Sequence, residues 1–221
     1  LPRNLLIPSI RSSVGTFGGL ITNGPLRGTQ FLAGGATSRF NYGTVTGSAF
    51  QSGGDGARAN IGLMPTQERY NGFARAEFEA APAATLFVEG LYSHSFTNQG
   101  AFYSQNVGSN AAYTIFRDNA YLPDAIRQRM IAANIQSFQL GRFEGELPLV
   151  ENVSNIDVYH GSAGIRGQLG ARWSYDASYS FGQSDQELRS NNLTIARNLY
   201  ASADAVVNPA TGQIVCRSRL A

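Results

Sequence analysis

The sequence predicts an all-β fold, an antiparallel transmembrane β-barrel segment with long extracellular loops and one short loop helix. Three observations predict it. Apolar and polar residues alternate with period two in two pairs of runs, each pair joined by a very short turn. Charged residues are only 14% of the chain, while Gly counts 25 and Phe and Tyr together 23, a composition of β-structure and polar loops rather than of an ordinary soluble domain. The periodic pairs are separated by long stretches with no sustained period, and short turns at one end with long loops at the other are the asymmetry of outer-membrane barrels.

Residues 1–66 read as the first extracellular loop. Positions 1–60 hold 12 of the 25 glycines, and short apolar pieces are broken at Gly18-Gly19-Leu20-Ile21, Asn23-Gly24-Pro25, Gly34-Gly35 and Gly53-Gly54-Asp55-Gly56. The stretch is locally basic, with Arg3, Arg11, Arg27, Arg39 and Arg58 against Asp55. That bias either keeps a loop soluble or favours an anionic ligand. The first hairpin covers 67–96. Tyr70, Gly72, Ala74, Ala76 and Phe78 alternate with Asn71, Phe73, Arg75 and Glu77; Ala81-Pro82-Ala83 turns the chain; Leu86, Val88, Gly90 and Tyr92 alternate with Phe87, Glu89 and Leu91. A turn centred on Pro82 sets Arg75 opposite Glu89 and keeps apolar residues facing apolar ones, as a correct register must.

Residues 97–152 read as a second extracellular loop carrying a helix over 123–133, with Pro123 at its first position. Ile126, Met130 and Ile131 form its apolar stripe, and Arg127 and Arg129 fall off it. The second hairpin covers 153–189. Tyr159, Gly161, Ala163, Ile165 and Leu169 alternate with His160, Ser162, Gly164, Arg166 and Gln168; beyond Gly170-Ala171, Trp173, Tyr175, Ala177, Tyr179 and Phe181 alternate with Ser174, Asp176, Ser178 and Ser180. Residues 190–221 begin a third extracellular loop. There Asn198 is placed to cap a short helix through Ala205, Asn208–Gln213 is a turn, and Ile214–Arg217 a short strand.

Tyr70, Phe78, Tyr92, Tyr159, Trp173, Tyr175, Tyr179 and Phe181 therefore share faces expected to meet lipid, with aromatics near the two ends as in an interfacial girdle. Arg75, Glu77, Glu89, Arg166 and Asp176 point to the other face, expected to be a lumen. They either pair across strands or line a water-filled or plugged interior.

Several function classes find no support in the residues. No run approaches the ~18 apolar residues of a membrane helix, and a mean hydropathy of -0.18 fits strands in which only alternate residues are apolar. The chain opens on Leu1-Pro2-Arg3-Asn4 without the pattern of a signal peptide. A net charge of +2 argues against nucleic acid. The 17 basic residues are all Arg, so no P-loop lysine exists. Cys216 is the one cysteine, which excludes an internal disulfide framework. His94 and His160, one on each hairpin, have no carboxylate spacing of a zinc site and read as solvated residues on polar faces. No acid–base pair, nucleophile set, metal site or cofactor motif emerges, so no enzyme is expected. The triplets Asn152-Val153-Ser154 and Asn192-Leu193-Thr194 match a glycosylation sequon that occurs often by chance.

A family resemblance rests on Gly18-Gly19-Leu20-Ile21, Gly53-Gly54-Asp55-Gly56, Glu68-Arg69 opening a strand, Leu86-Phe87-Val88-Glu89, Tyr121-Leu122-Pro123, and above all Asp204-Ala205-Val206 with Asn208-Pro209-Ala210-Thr211-Gly212-Gln213-Ile214-Val215-Cys216-Arg217. Together these resemble the barrel part of TonB-dependent outer-membrane receptors. The resemblance implies a 22-stranded plugged barrel in the bacterial outer membrane. It implies outer-membrane lipid and the TonB complex as partners, and uptake of a ferric siderophore, vitamin or glycan. The plug, the TonB-contacting segment and the closing strand are not among these residues, so the chain is expected to be a fragment. In the family subgroup Cys216 would pair with a second cysteine a little further on. Ligand contacts are expected from the three loops. The competing readings are a non-transport barrel, such as an adhesin or translocator, and a soluble extracellular β-rich binding protein.

Overall fold

The computed structural model describes residues 6–47, 49–58, 64–108 and 112–220; Arg3 and the Leu1-Pro2-Arg3-Asn4 opening lie outside them. In chain order the strands are β1 (Ile10–Ser12), β2 (Leu20–Ile21), β3 (Thr29–Phe31), β4 (Thr37–Arg39), β5 (Thr44–Val45), β6 (Phe50–Ser52), β7 (Thr66–Ala81), β8 (Ala84–Phe102), β9 (Gln105–Asn106) and β10 (Tyr113–Phe116). Helix α1 (Asp124–Ala132), β11 (Ser137–Phe143), β12 (Val150–Leu169), β13 (Trp173–Asn191), α2 (Ala196–Ala203), β14 (Ala205–Val207) and β15 (Ile214–Cys216) follow. The fold is mostly antiparallel β. Its sheets are open, and none of those described closes into a barrel. The chain divides into two compact units, one of Gly62–Ala101 with Glu151–Asn191, the other of Leu1–Ile61, Phe102–Val150 and Asn192–Ala221.

The first unit is a four-stranded meander in the order β13-β12-β8-β7. Arg75 faces Glu89 and Glu77 faces Phe87 across β7 and β8, the register expected from the sequence. Pro82-Ala83 makes the turn, with a register shift between Glu79 and Ala81. β12 and β13 pair from Glu151↔Asn191 to Leu169↔Trp173, and Gly170 takes a positive φ of 67° at the turn, a conformation open to glycine without strain. Gln168 N–H donates to Ala83 at 3.2 Å, Ser162 Oγ meets Glu89, and His94 meets Asp157. Residue numbers therefore rise on β8 as they fall on β12, so the two hairpins are joined antiparallel. The strands overrun the expected ends, reaching Phe102 on β8 and starting at Val150 on β12.

The second unit gathers the three stretches that read from the sequence as loops into one folded body. Its sheet runs β10-β11-β2-β3-β4, with β9 also on β11, beside a β1-β6-β5 sheet and the β14-β15 hairpin. Leu140↔Ile21 and Gly141↔Leu20 join the first stretch to the second. Ile21, Leu26, Tyr113, Ile115, Leu122, Ile126, Met130 and Phe138 form one buried cluster, and Leu199 and Ala203 of the third stretch pack against it. Each fully buried side chain of this size contributes about 1.5–3 kcal/mol by leaving water. The three sequence-distant stretches thus share a core that none could build alone.

Two α-helices form among the described residues. In α1, Ile126 and Met130 are fully buried, whereas Ile131 is exposed and not in the stripe. Pro123 is the N-cap with extended ψ, one residue before the helix proper. Arg127 turns back and donates to the carbonyls of Arg117, Asn119 and Leu122. α2 starts at Ala196 behind Ile195, so Asn198 lies inside the helix instead of capping it, and Ala205 already belongs to β14. The turn at Asn208–Gln213 joins β14 to β15.

Candidate functional site

The four long strands present two chemically different faces. On one, Tyr70, Tyr92, Tyr159 and Phe181 fall at neighbouring same-face positions across the sheet: Tyr92 faces Gly72 two pairs from Tyr70, Phe181 faces Gly161 two pairs from Tyr159, and the Tyr92 and Tyr159 rings lie 5.1 Å apart. Nearer the turns the same face carries Phe78, Trp173 and Tyr175, with Tyr179 between the rows. These rings are widely exposed, Trp173 at 74% and Tyr179 at 76%. Tyr175 differs: it is half-buried, and its hydroxyl donates to Ala83 at 3.0 Å. The apolar run covers 70–78 on β7, 159–169 on β12 and 173–181 on β13, or nine to eleven residues. At ~3.3 Å per residue, that is roughly 26–33 Å of strand.

Away from the turns this face becomes polar. His94 Nδ1 lies 2.8 Å from Asp157 Oδ1, and Tyr92 donates its hydroxyl to the same oxygen at 2.9 Å. His94 sits on the aromatic face, stacked on Tyr70 at 6.1 Å, and not on the polar face expected for it. Alternation carried past Tyr92 would have placed it there. Further out on β13 come Gln183, Asp185, Glu187 and Arg189.

The other face gathers most of the charges singled out from the sequence. Arg75 pairs with Glu77 and Glu89 at 2.7 Å each, Arg166 pairs with Glu77 at 2.6 Å, and Ser162 Oγ donates to Glu89 at 2.9 Å. The Arg75 guanidinium lies 4.8 Å over the Phe87 ring, and a Cβ at Gly164 would stand 2.5 Å from that ring. Asp176 is opposite Arg166 in register, yet the ion pair of Arg166 is to Glu77 on the adjoining hairpin. Two arginines and two glutamates make a neutral, half-exposed lattice. Solvent screens such half-exposed pairs, and the arrangement offers no poised nucleophile or base.

The second unit holds a cavity of about 480 Å³. All three stretches line it: Gly18 and Phe31 from the first, Leu122, Phe138 and Leu140 from the second, Leu199 and Ala203 from the third. None of the described first-stretch arginines does. At one corner Arg142 bridges Glu144 at 3.0 Å and Glu146 at 2.5 Å. Glu144 is 1% exposed, a burial that a carboxylate tolerates only when its oxygens are bonded. Tyr113 donates to Oε1 at 2.6 Å and Asn106 to the same oxygen at 3.4 Å. Burial, and then the bond to Glu144, pushes the Tyr113 phenol well above its usual range. Sequence reasoning missed this corner. Asn106 and Tyr113 lie 38 and 31 residues before Glu144, and the set matches no motif; the one signal is a carboxylate directly after the apolar end of β11.

A staple secures the third stretch. Arg217 grips Asp118 with two nitrogens at 2.7 and 2.9 Å, reaches Asp204 at 2.8 Å, and covers the Phe116 ring at 5.1 Å. The hydrogen bond from Arg217 holds the Asp118 carboxyl below the usual range. Cys216, opposite Ala205 in the β14–β15 pair, is half-buried with a free thiol. Among the described residues no cluster of His, Cys, Asp and Glu could hold a metal ion, and no helix is long and apolar enough to cross a membrane.

No protein-family model matches the chain, and no curated protein matches it.

Proposed function

We propose that the chain is part of an outer-membrane β-barrel of the TonB-dependent receptor kind, which takes up a scarce ligand with energy from the inner membrane. The observation that carries the reading is the aromatic-edged apolar face of the meander. Tyr70, Phe78, Trp173, Tyr179 and Phe181 are 60% exposed or more, and at the ~40° strand tilt of such barrels their rows bound an apolar belt about as tall as the ~25 Å lipid-facing band. Contiguous exposed apolar surface of this kind marks a membrane or partner contact. The opposite face, with its paired charges, suits a hydrated or plugged interior. Four strands are too few to close a barrel, so the free edges of β7 and β13 are proposed to pair with further strands, because unpaired backbone in lipid is costly.

The receptor part of the reading is supported by the loop-type segments quoted above and by the folded unit with its cavity, which these segments build. It assigns no enzymatic activity to the chain. Reading the gene upstream of Leu1 tests it. A plug domain with a TonB-contacting segment is expected there. A gene whose product lacks any plug and fractionates with adhesins or translocators would overturn the transport reading, and recovery of the protein from the soluble fraction without detergent would overturn the membrane one.

A further inference from the structure

The charge and shape of the cavity in the second unit restrict what it can hold. Its volume of about 480 Å³ lies in the range of small-molecule sites, about 300–1,000 Å³. The walls are apolar, with Phe31 and Phe138 stacked 6.4 Å apart and Leu122, Leu140 and Leu199 around them. The charged residues that line it, Arg142, Glu144 and Glu146, all meet at one corner, while Asn119, Tyr121 and Ser202 add neutral polar groups elsewhere.

That corner is committed against anions. An arginine free to bind a carboxylate or phosphate would offer its two-pronged fork. Arg142 instead spends Nε on the Phe17 carbonyl at 3.2 Å, one terminal nitrogen on Glu144 and the other on Glu146. The three charges sum to minus one. Glu144 is sealed in by Tyr113, Asn106 and Arg142, whereas Glu146 is 53% exposed. A carboxylate has about four acceptor sites, so Glu146 keeps capacity for a donor arriving through the cavity. Arg11, Arg27, Arg39 and Arg58, whose excess favours anions on composition, do not line this cavity.

We propose that this cavity binds a small amphipathic compound with an apolar ring or chain at one end and an ammonium group at the other. The apolar part lies among Phe31, Phe138, Leu140 and Leu199, and the ammonium group donates to Glu146. Binding ties together three stretches that are distant in sequence, so it raises the stability of the unit as the logarithm of ligand concentration above the dissociation constant. The inference deepens the proposed function by naming a ligand class. It rests on the geometry of one unit, so it can fail while the membrane reading stands, and the reverse.

Two probes of nearly the same shape and opposite charge test it: phenethylamine and phenylpropionate. Calorimetric titration and thermal shift are read on the protein in detergent, at a pH where both probes are ionised. Phenethylamine is expected to bind and raise the melting temperature, and phenylpropionate to do neither. Glu146→Gln weakens phenethylamine binding roughly two- to fivefold, the scale of one partly exposed charged contact. Glu146→Lys reverses the preference and controls for partition of the amine into detergent. Glu146 is half exposed, so unchanged ligand-free melting of both variants shows the fold intact. Equal or tighter binding of phenylpropionate, phenethylamine binding indifferent to Glu146→Lys, or no binding of either probe overturns the proposal.

Discussion

Replacing Tyr113 with Phe removes one oxygen and leaves the ring in place. The phenol donates at 2.6 Å to a carboxylate that is 1% exposed, and a hydrogen bond to a buried charge is worth about 1.5–3 kcal/mol. Glu144 keeps Arg142 at 3.0 Å and the long contact to Asn106, so it is weakened rather than orphaned. A loss of about 2 kcal/mol follows. For a chain of this size a loss of 1 kcal/mol lowers the melting temperature by about 2–4 °C, so Tyr113→Phe is expected to melt about 4–8 °C lower. The pH dependence isolates the group. The Tyr113 phenol is raised in the folded state, by burial first and Glu144 second, so its contribution is complete below the unfolded value of about 10 and is lost as pH rises beyond it. The gap between wild type and Tyr113→Phe therefore narrows above about pH 10. Chemical denaturation across pH, with a double-mutant cycle against Glu144→Gln, measures both. A cost under about 0.5 kcal/mol, or two additive substitutions, would refute the reasoning.

Other substitutions follow from the same packing. Met130→Ala, at a fully buried site, is expected to cost about 2–5 kcal/mol in denaturant unfolding, against less than about 0.5 for the exposed Ile131→Ala. Asp118→Asn loses only the exposed staple to Arg217, at most about 1 kcal/mol. Because the Asp118 carboxyl is lowered, that stability is present above about pH 4 and is lost as pH falls through its folded value, so melting curves of variant and wild type converge in acid. Gly141→Ala would set a Cβ 1.9 Å from the Val14 carbonyl, whereas one at Gly72 meets nothing within 4 Å; limited proteolysis should find the first variant loosened and the second unchanged.

The long strands were legible because alternation over nine or more residues leaves one register in which apolar faces apolar. Arg75 opposite Glu89 then follows from where Pro82 turns the chain. Short strands carry no such period. Leu20 and Ile21 are only two residues, and what makes them strand is pairing with Gly141 and Leu140, a contact across more than half the chain that no local pattern announces. Local rules also misplaced single residues where tertiary contacts decide. Arg127 looks like a solvated helix residue, yet three carbonyls without helix partners draw it in. Asn198 looks like a cap, yet the helix starts earlier, behind Ile195. The cavity was hidden for the same reason, since its walls come from three stretches that read separately as loops.

Trp173 is the one tryptophan in the chain and stands 74% exposed on the aromatic face beside the tight turn, so its fluorescence reports on the membrane reading directly. With the protein reconstituted in phosphatidylcholine vesicles, the emission is expected to be blue-shifted, quenched by lipids brominated on the acyl chain near the headgroup, and protected from iodide in the water. A red-shifted emission that iodide quenches freely and brominated lipid leaves unchanged would mean that this face meets water, and would contradict the account.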